Sequence, residues 1–155
     1  MTSQADPWFL SERAEHLAVV LLTRISNLRI EKRAIDEGVD FLVTIKGGRA
    51  PGRMFGVEVK ATQAMSRLVD VNHRLRPQFA AKLRRQSRDY PFPIGVLVFD
   101  VSTGTGRFGW VLSPSVNAAG HAALAKQYGI PTIPANEDSI RKAVKDVAVW
   151  YSRRQ

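Results

Sequence analysis

The 155-residue chain has the length of one compact domain, and it contains no cysteine, which excludes disulfides, thiolate zinc sites and thiol catalysis. Lys and Arg number 23 against 14 Asp and Glu, a formal charge of +9 that points to a polyanionic partner, nucleic acid first. No apolar run approaches the roughly 18 residues of a membrane span, and Met1–Leu10 lacks a basic stretch followed by an apolar one. A cytoplasmic protein without membrane association is expected.

No repeat, low-complexity tract or Gly/Ser linker divides the chain, so a single domain over 1–155 is expected. Ser11 fits the N-cap of a helix reaching about Leu28, with Ala14, Leu17, Ala18, Leu21, Ile25 and Leu28 on one stripe. Two strand-like runs follow, Val39 to Ile45 and Met54 to Ala61, and the glycines and proline between them suit an antiparallel hairpin. Pro77 opens a second helix to about Tyr90, stopped by Pro91 and Pro93. A second strand pair spans Ile94 to Val101 and Phe108 to Leu112. The region from Val116 to Tyr128 reads as a short helix, and a last helix starts near Asn136 with Ile140, Ala143, Val144, Val147 and Tyr151 on its apolar face.

The chemistry concentrates in the second strand of the first pair, Phe55-Gly56-Val57-Glu58-Val59-Lys60. Strand period two sends Val57 and Val59 to one face and Glu58 and Lys60 to the other. Asp40, after Gly38 and Val39, heads the partner strand, so two carboxylates can converge beside an ammonium. Oxygen ligands of this kind suit Mg²⁺, which keeps waters for a substrate phosphate. Taken alone, Glu58 and Lys60 read as a surface ion pair worth about 0 to 1 kcal/mol, and it is their combination with the upstream motif that points to chemistry.

The combination of Gly38-Val39-Asp40, a hairpin, Glu58-Val59-Lys60 followed by Ala61-Thr62, and Glu15 in the first helix resembles the PD-(D/E)XK phosphodiesterase superfamily, over about Ser11 to Leu112. This superfamily contains many restriction endonucleases and the archaeal Holliday-junction resolvases, and the likeness extends to small prokaryotic nuclease-like domains. It implies an α/β, restriction-endonuclease-like three-layer fold, a central mixed sheet flanked by helices with an α-β-β-β-α-β core. By this resemblance Asp40, Glu58 and the Val59 carbonyl are metal ligands, Lys60 is the catalytic lysine, and Glu15 is an accessory carboxylate. The cofactor implied is Mg²⁺, with Mn²⁺ as a substitute. Val39 stands where the motif's proline would be.

Basic residues surround this motif. Lys82, Arg84, Arg85 and Arg88 line one arc of the second helix, Arg74 and Arg76 precede it, and Lys46, Arg49 and Arg53 sit in the first hairpin. They are expected to meet backbone phosphates, which position a nucleic acid without reading its sequence. Gln78 is a candidate for substrate or metal-water contact. Gly104-Thr105-Gly106-Arg107-Phe108-Gly109 matches GxGxxG but opens no helix, so a tight hairpin explains it better than a dinucleotide site. His16, His73 and His121 lack zinc spacing, and Trp8, Trp110 and Trp150 read as core or interface anchors. Trp150 and Tyr151 serve either to cap the core or as a handle for a homodimer or another protein partner. The expected activity is a metal-dependent nuclease hydrolysing DNA in preference to RNA, an endonuclease before an exonuclease, in repair, recombination or defence against foreign DNA. The alternatives are a non-catalytic nucleic-acid-binding or assembly module, or a partner-dependent subunit, that keeps the fold.

Overall fold

The computed structural model describes residues 8–33, 39–47 and 52–154. Its elements are α1 (Trp8–Thr23), β1 (Leu28–Lys32), β2 (Phe41–Ile45), β3 (Met54–Thr62), a single 3-10 turn (Met65–Arg67), α2 (Pro77–Ser87), β4 (Ile94–Asp100), β5 (Thr105–Val116), β6 (Ala122–Lys126), β7 (Ile133–Pro134) and α3 (Glu137–Ser152). The strands form one mixed sheet in the order β1-β2-β3-β4-β5-β6, with β7 added along β5. Among the described strands only β3 and β4 run parallel; the crossover between them carries α2.

The two faces of the sheet bury different cores because side chains alternate along each strand. Phe41, Val43, Phe55, Val57, Val59, Leu97 and Phe99 pack with Leu10, Ala14, Ala18 and Leu22 of α1 and Ile140, Ala143, Val144 and Val147 of α3. Val39, Ile94, Val96 and Val98 pack with Ala80 and Leu83 of α2. Helices therefore cover both faces of an α/β sheet, as a mixed sheet with a parallel step requires. No helix among the described residues is long and apolar enough to cross a membrane.

The first hairpin is antiparallel as expected, with Phe41 opposite Val57 and Thr44 opposite Met54. Two expectations fail. The first helix ends at Thr23, because the chain turns at residues 24–27 and Leu28, the last position of the expected helix stripe, begins the edge strand β1. The segment from Val116 to Tyr128 is not helical. There β5 runs on to Val116, Asn117 accepts N–H groups of Ala119 and His121 through its side chain, Gly120 takes φ +83°, and β6 returns antiparallel. Pairing with β5 overrides the helix propensity of Ala122-Ala123-Leu124-Ala125.

The GxGxxG run begins in the β4–β5 turn, where Gly104 has φ +76°, and continues along β5. A Cβ on Gly109 would stand 2.7 Å from the Pro131 carbonyl oxygen, so backbone approach fixes that glycine. Trp150 and Tyr151 face inward: Trp150 Nε1 donates to Ala123 O at 2.9 Å, and Tyr151 OH donates to Met54 O at 2.6 Å. Burial raises the Tyr151 pKa. Trp8, by contrast, is exposed.

Asp100 closes the same β4–β5 turn. Its carboxylate accepts from Ser102 Oγ at 2.5 Å and Ser102 N at 3.0 Å, and the hydroxyl bond above all lowers its pKa. A lowered carboxyl pKa adds stability that is present above the ordinary carboxylate range and is lost as pH falls through the lowered value. Asp100→Asn should therefore reduce stability at neutral pH and flatten its loss below about pH 4, as read from urea denaturation across an acid pH series.

Candidate functional site

β3 positions the site. Glu58 lies opposite Val96 and Lys60 opposite Val98 in the parallel pairing, so both side chains project to the α2 face. Glu58 is 3% exposed, an ionisable group deep in an otherwise aliphatic layer, where burial of a carboxylate is costly. Lys60 Nζ lies 3.7 Å from Glu58 Oε1, and its side chain is about one-third exposed. The ammonium therefore bridges between the buried carboxylate and solvent.

Asp40 stands just before β2 and is fixed on both sides of Glu58. Its N–H donates to Val57 O at 3.1 Å, and its Oδ2 accepts the Val59 N–H at 2.6 Å. In an antiparallel ladder the N–H and C=O of one residue leave the strand on the same side. The Asp40 carboxylate thus takes the place of a β2 backbone acceptor, and the Val59 carbonyl lies on that same edge. Asp40 thus bonds to Val59, and Lys60 faces Glu58, along one stretch of β3. Gly38 lies outside the described residues.

Glu15 does not join them directly. It projects from α1, on the opposite face of the sheet, and accepts a hydrogen bond from Lys32 Nζ at 2.9 Å. Lys32, which follows Glu31 at the end of β1 and pairs with Phe41, was not anticipated because the helix reading hid β1; the alternation of Leu28, Ile30 and Lys32 was its only sequence signal. Its pKa is raised, first by the hydrogen bond and charge of Glu15, with Glu12 and Asp40 adding to it. Charge thus alternates from Glu15 through Lys32 to Asp40 around the end of β2. A cavity of about 310 Å³ beside this pair is lined by Glu15, His16, Val19, Leu28, Lys32 and Phe41. Among the described residues no three His, Asp or Glu side chains are grouped to hold an ion.

The basic residues divide. Lys46 and Arg53 sit at the far end of the β2–β3 hairpin, about 20 Å along the strands from Asp40. Arg53 Nη2 donates to Gly47 O and braces the turn. These two do not flank the site, and Arg49 lies outside the described residues. Arg76 and Gln78 begin α2, near the segment that leaves β3, and Arg76 Nε donates to Ser66 O at 2.7 Å. Gln78 and Lys82 are exposed. Arg84 is engaged within the protein: its Nη1 donates to Gln127 O at 3.1 Å and Tyr128 O at 2.6 Å. His73, with φ +63°, occupies a left-handed turn whose carbonyl accepts from Thr132, a structural task.

No protein-family model matches the chain, and no curated protein matches it.

The Asp40 contact makes a structural demand separable from any chemistry. Asp40→Ala would leave the Val59 N–H without its acceptor, at about 1–3 kcal/mol of stability. Hydrogen exchange should show Val59 losing protection while the amides that β3 directs to β4 keep theirs. Unchanged protection at Val59 would mean that Asp40 does not hold this edge.

Proposed function

We propose that the chain is a metal-dependent nuclease of the PD-(D/E)XK type, with the restriction-endonuclease-like form of the α/β fold, acting on DNA phosphodiester bonds. The reading is carried by one observation: a glutamate 3% exposed in a valine-lined sheet, with Lys60 3.7 Å away and Asp40 bonded to the adjacent Val59 N–H. A structural ion pair gains little from such burial, whereas sites that break the local rule of an apolar core are the expected places of function.

The donor set fits a hard divalent cation. Two carboxylates and a main-chain carbonyl are all oxygen, the ligand class that Mg²⁺ and Mn²⁺ take. Asp40, Glu58 and Val59 would hold the ion. When bound, such an ion supplies Lewis-acid polarisation of a phosphate and a more acidic water. The chain's own residues do the rest. Glu58 holds Lys60, and the solvent-reaching ammonium orients a water or stands against the charge that grows on phosphate oxygens. Glu15, fixed by Lys32 across the sheet, adds negative potential near Asp40 without touching it. Arg85, Arg88 and Lys82 supply phosphate contacts on the α2 side. Endonucleolytic cleavage in repair, recombination or defence is the role this chemistry suits.

The test is cleavage of linear, nicked, branched and single-stranded DNA and of RNA, with Mg²⁺ or with EDTA. Wild type should cleave DNA only with the cation. Lys60→Ala and Glu58→Gln should each lower the rate at least about 10²-fold, while Glu58→Gln binds DNA as well as or better than wild type, having one negative charge fewer. Binding without cleavage by wild type on every substrate would leave a nucleic-acid-binding module, and equal cleavage by both variants would remove the site.

A further inference from the structure

The second half of α2 and the end of β6 form a cationic groove with an aromatic wall. Arg84, Arg85, Arg88, Lys126 and Tyr128 line a cavity of about 320 Å³. Tyr128 is 88% exposed, which contributes nothing to the core. It is nevertheless tethered: the Arg84 guanidinium carbon lies over its ring, 5.4 Å from the centroid, and the same side chain donates to the Tyr128 and Gln127 carbonyls. An arginine that spends its donors on the loop and its plane on the ring orders this tyrosine in advance. Arg74 also approaches this loop, with Nη1 3.0 Å from where a Cβ on Gly129 would stand.

The remaining charges are available. Arg85 and Lys126 have no ion pair among the described residues, and Arg88 is only 3.9 Å from the exposed Asp89. Arg84 and Arg85 also complement the negative end of α2, but that accounts for neither Lys126, which comes from another element, nor the exposed ring. Cations beside a fixed, solvent-facing aromatic match the pairing of phosphate contact with base stacking by which unpaired strands are held. A fully paired duplex has its bases stacked on one another and offers the ring no base face.

We infer that this groove binds an unpaired nucleotide segment, with Tyr128 stacking a base and Arg85, Arg88 and Lys126 meeting phosphates. The inference rests on the nuclease reading only in naming its substrate, a polynucleotide with a single-stranded portion. Lys126 pairs with Leu112, and Leu112 with Ile94, which lies two residues along the sheet from the partner of Glu58. Three strand spacings across and two residues along put the groove about 14 Å to the side of Glu58 and about 7 Å further down the sheet. A strand seated on Tyr128 would reach Lys60 within a few nucleotides.

The experiment measures binding of a fluorescein-labelled oligo-dT 12-mer and of a long blunt-ended duplex of two separate strands, both in EDTA so that no cleavage intervenes. Tyr128→Ala should weaken oligo-dT binding roughly 5- to 100-fold and leave the duplex nearly unchanged, while Tyr128→Phe should bind as wild type. Replacing Arg85 and Lys126 by glutamine should reduce the log–log salt slope for oligo-dT by about 1.4, two phosphates at 0.7 each. Full oligo-dT affinity in Tyr128→Ala, or an equal loss for the duplex, overturns the groove, and does so even if Lys60→Ala abolishes cleavage. Selective loss for oligo-dT upholds it even if wild type cleaves nothing.

Discussion

The N–H of Val59 needs an acceptor at the point where β2 has ended, and the Asp40 carboxylate provides it at 2.6 Å. Much of the site follows from this bond. A backbone acceptor there would have extended β2 and left a neutral sheet edge. An aspartate instead closes the ladder with a charged group that retains a second oxygen for other work. The same contact sets Asp40 beside Glu58, since Val57 and Val59 both bond to it. Structural and chemical demands coincide on one side chain, so its loss would be felt as local opening of β3 as well as loss of charge.

β3 bears the other half of the arrangement. It pairs antiparallel with β2 and parallel with β4, which makes it internal, and residues of an internal strand must satisfy two packed faces. Val57 and Val59 meet this demand toward α1 and α3. Toward α2, Gly56 leaves room for Ile94 and Val39, whose atoms would lie 2.7 Å and 2.9 Å from its Cβ. Glu58 then departs from the apolar pattern, and Lys60, nearer solvent, stands 3.7 Å from it. The layer is packed up to the glutamate and opens beyond it, which confines the charged pair to the end of β3.

The parts legible in the sequence were those governed by local alternation. The period-two pattern of residues 54 to 61 and the Gly/Pro loop before it were enough to pair β2 with β3 and to put Glu58 and Lys60 on one face. Pro77 marked the start of α2 and Asn136 that of α3, where Asn136 and Ser139 cap each other. Edge strands were not legible. β1 continues the apolar spacing of α1 after a turn without proline or glycine, so nothing local separates Leu28 from the helix. β6 is alanine-rich and helical by propensity; its strand form depends on a long β5 that local pattern did not reveal. Lys32, Lys126 and Tyr128 were missed for this reason, each lying on or after an edge strand.

Distance along the chain misled the reading of charge in the same way. Arg53 is five residues from Glu58 in sequence but braces the opposite end of the hairpin, whereas Lys126 is 68 residues away and lies on the α2 side of the sheet's far edge. In an extended strand five residues span about 16 Å, while crossing three neighbouring strands takes about 14 Å. A net charge of +9 is therefore weak information until the strand order is known. Once it is, the positive surface separates into turn-bracing arginines, an arginine that orders Tyr128, and a smaller set on α2 and β6 with charge to offer a polyanion.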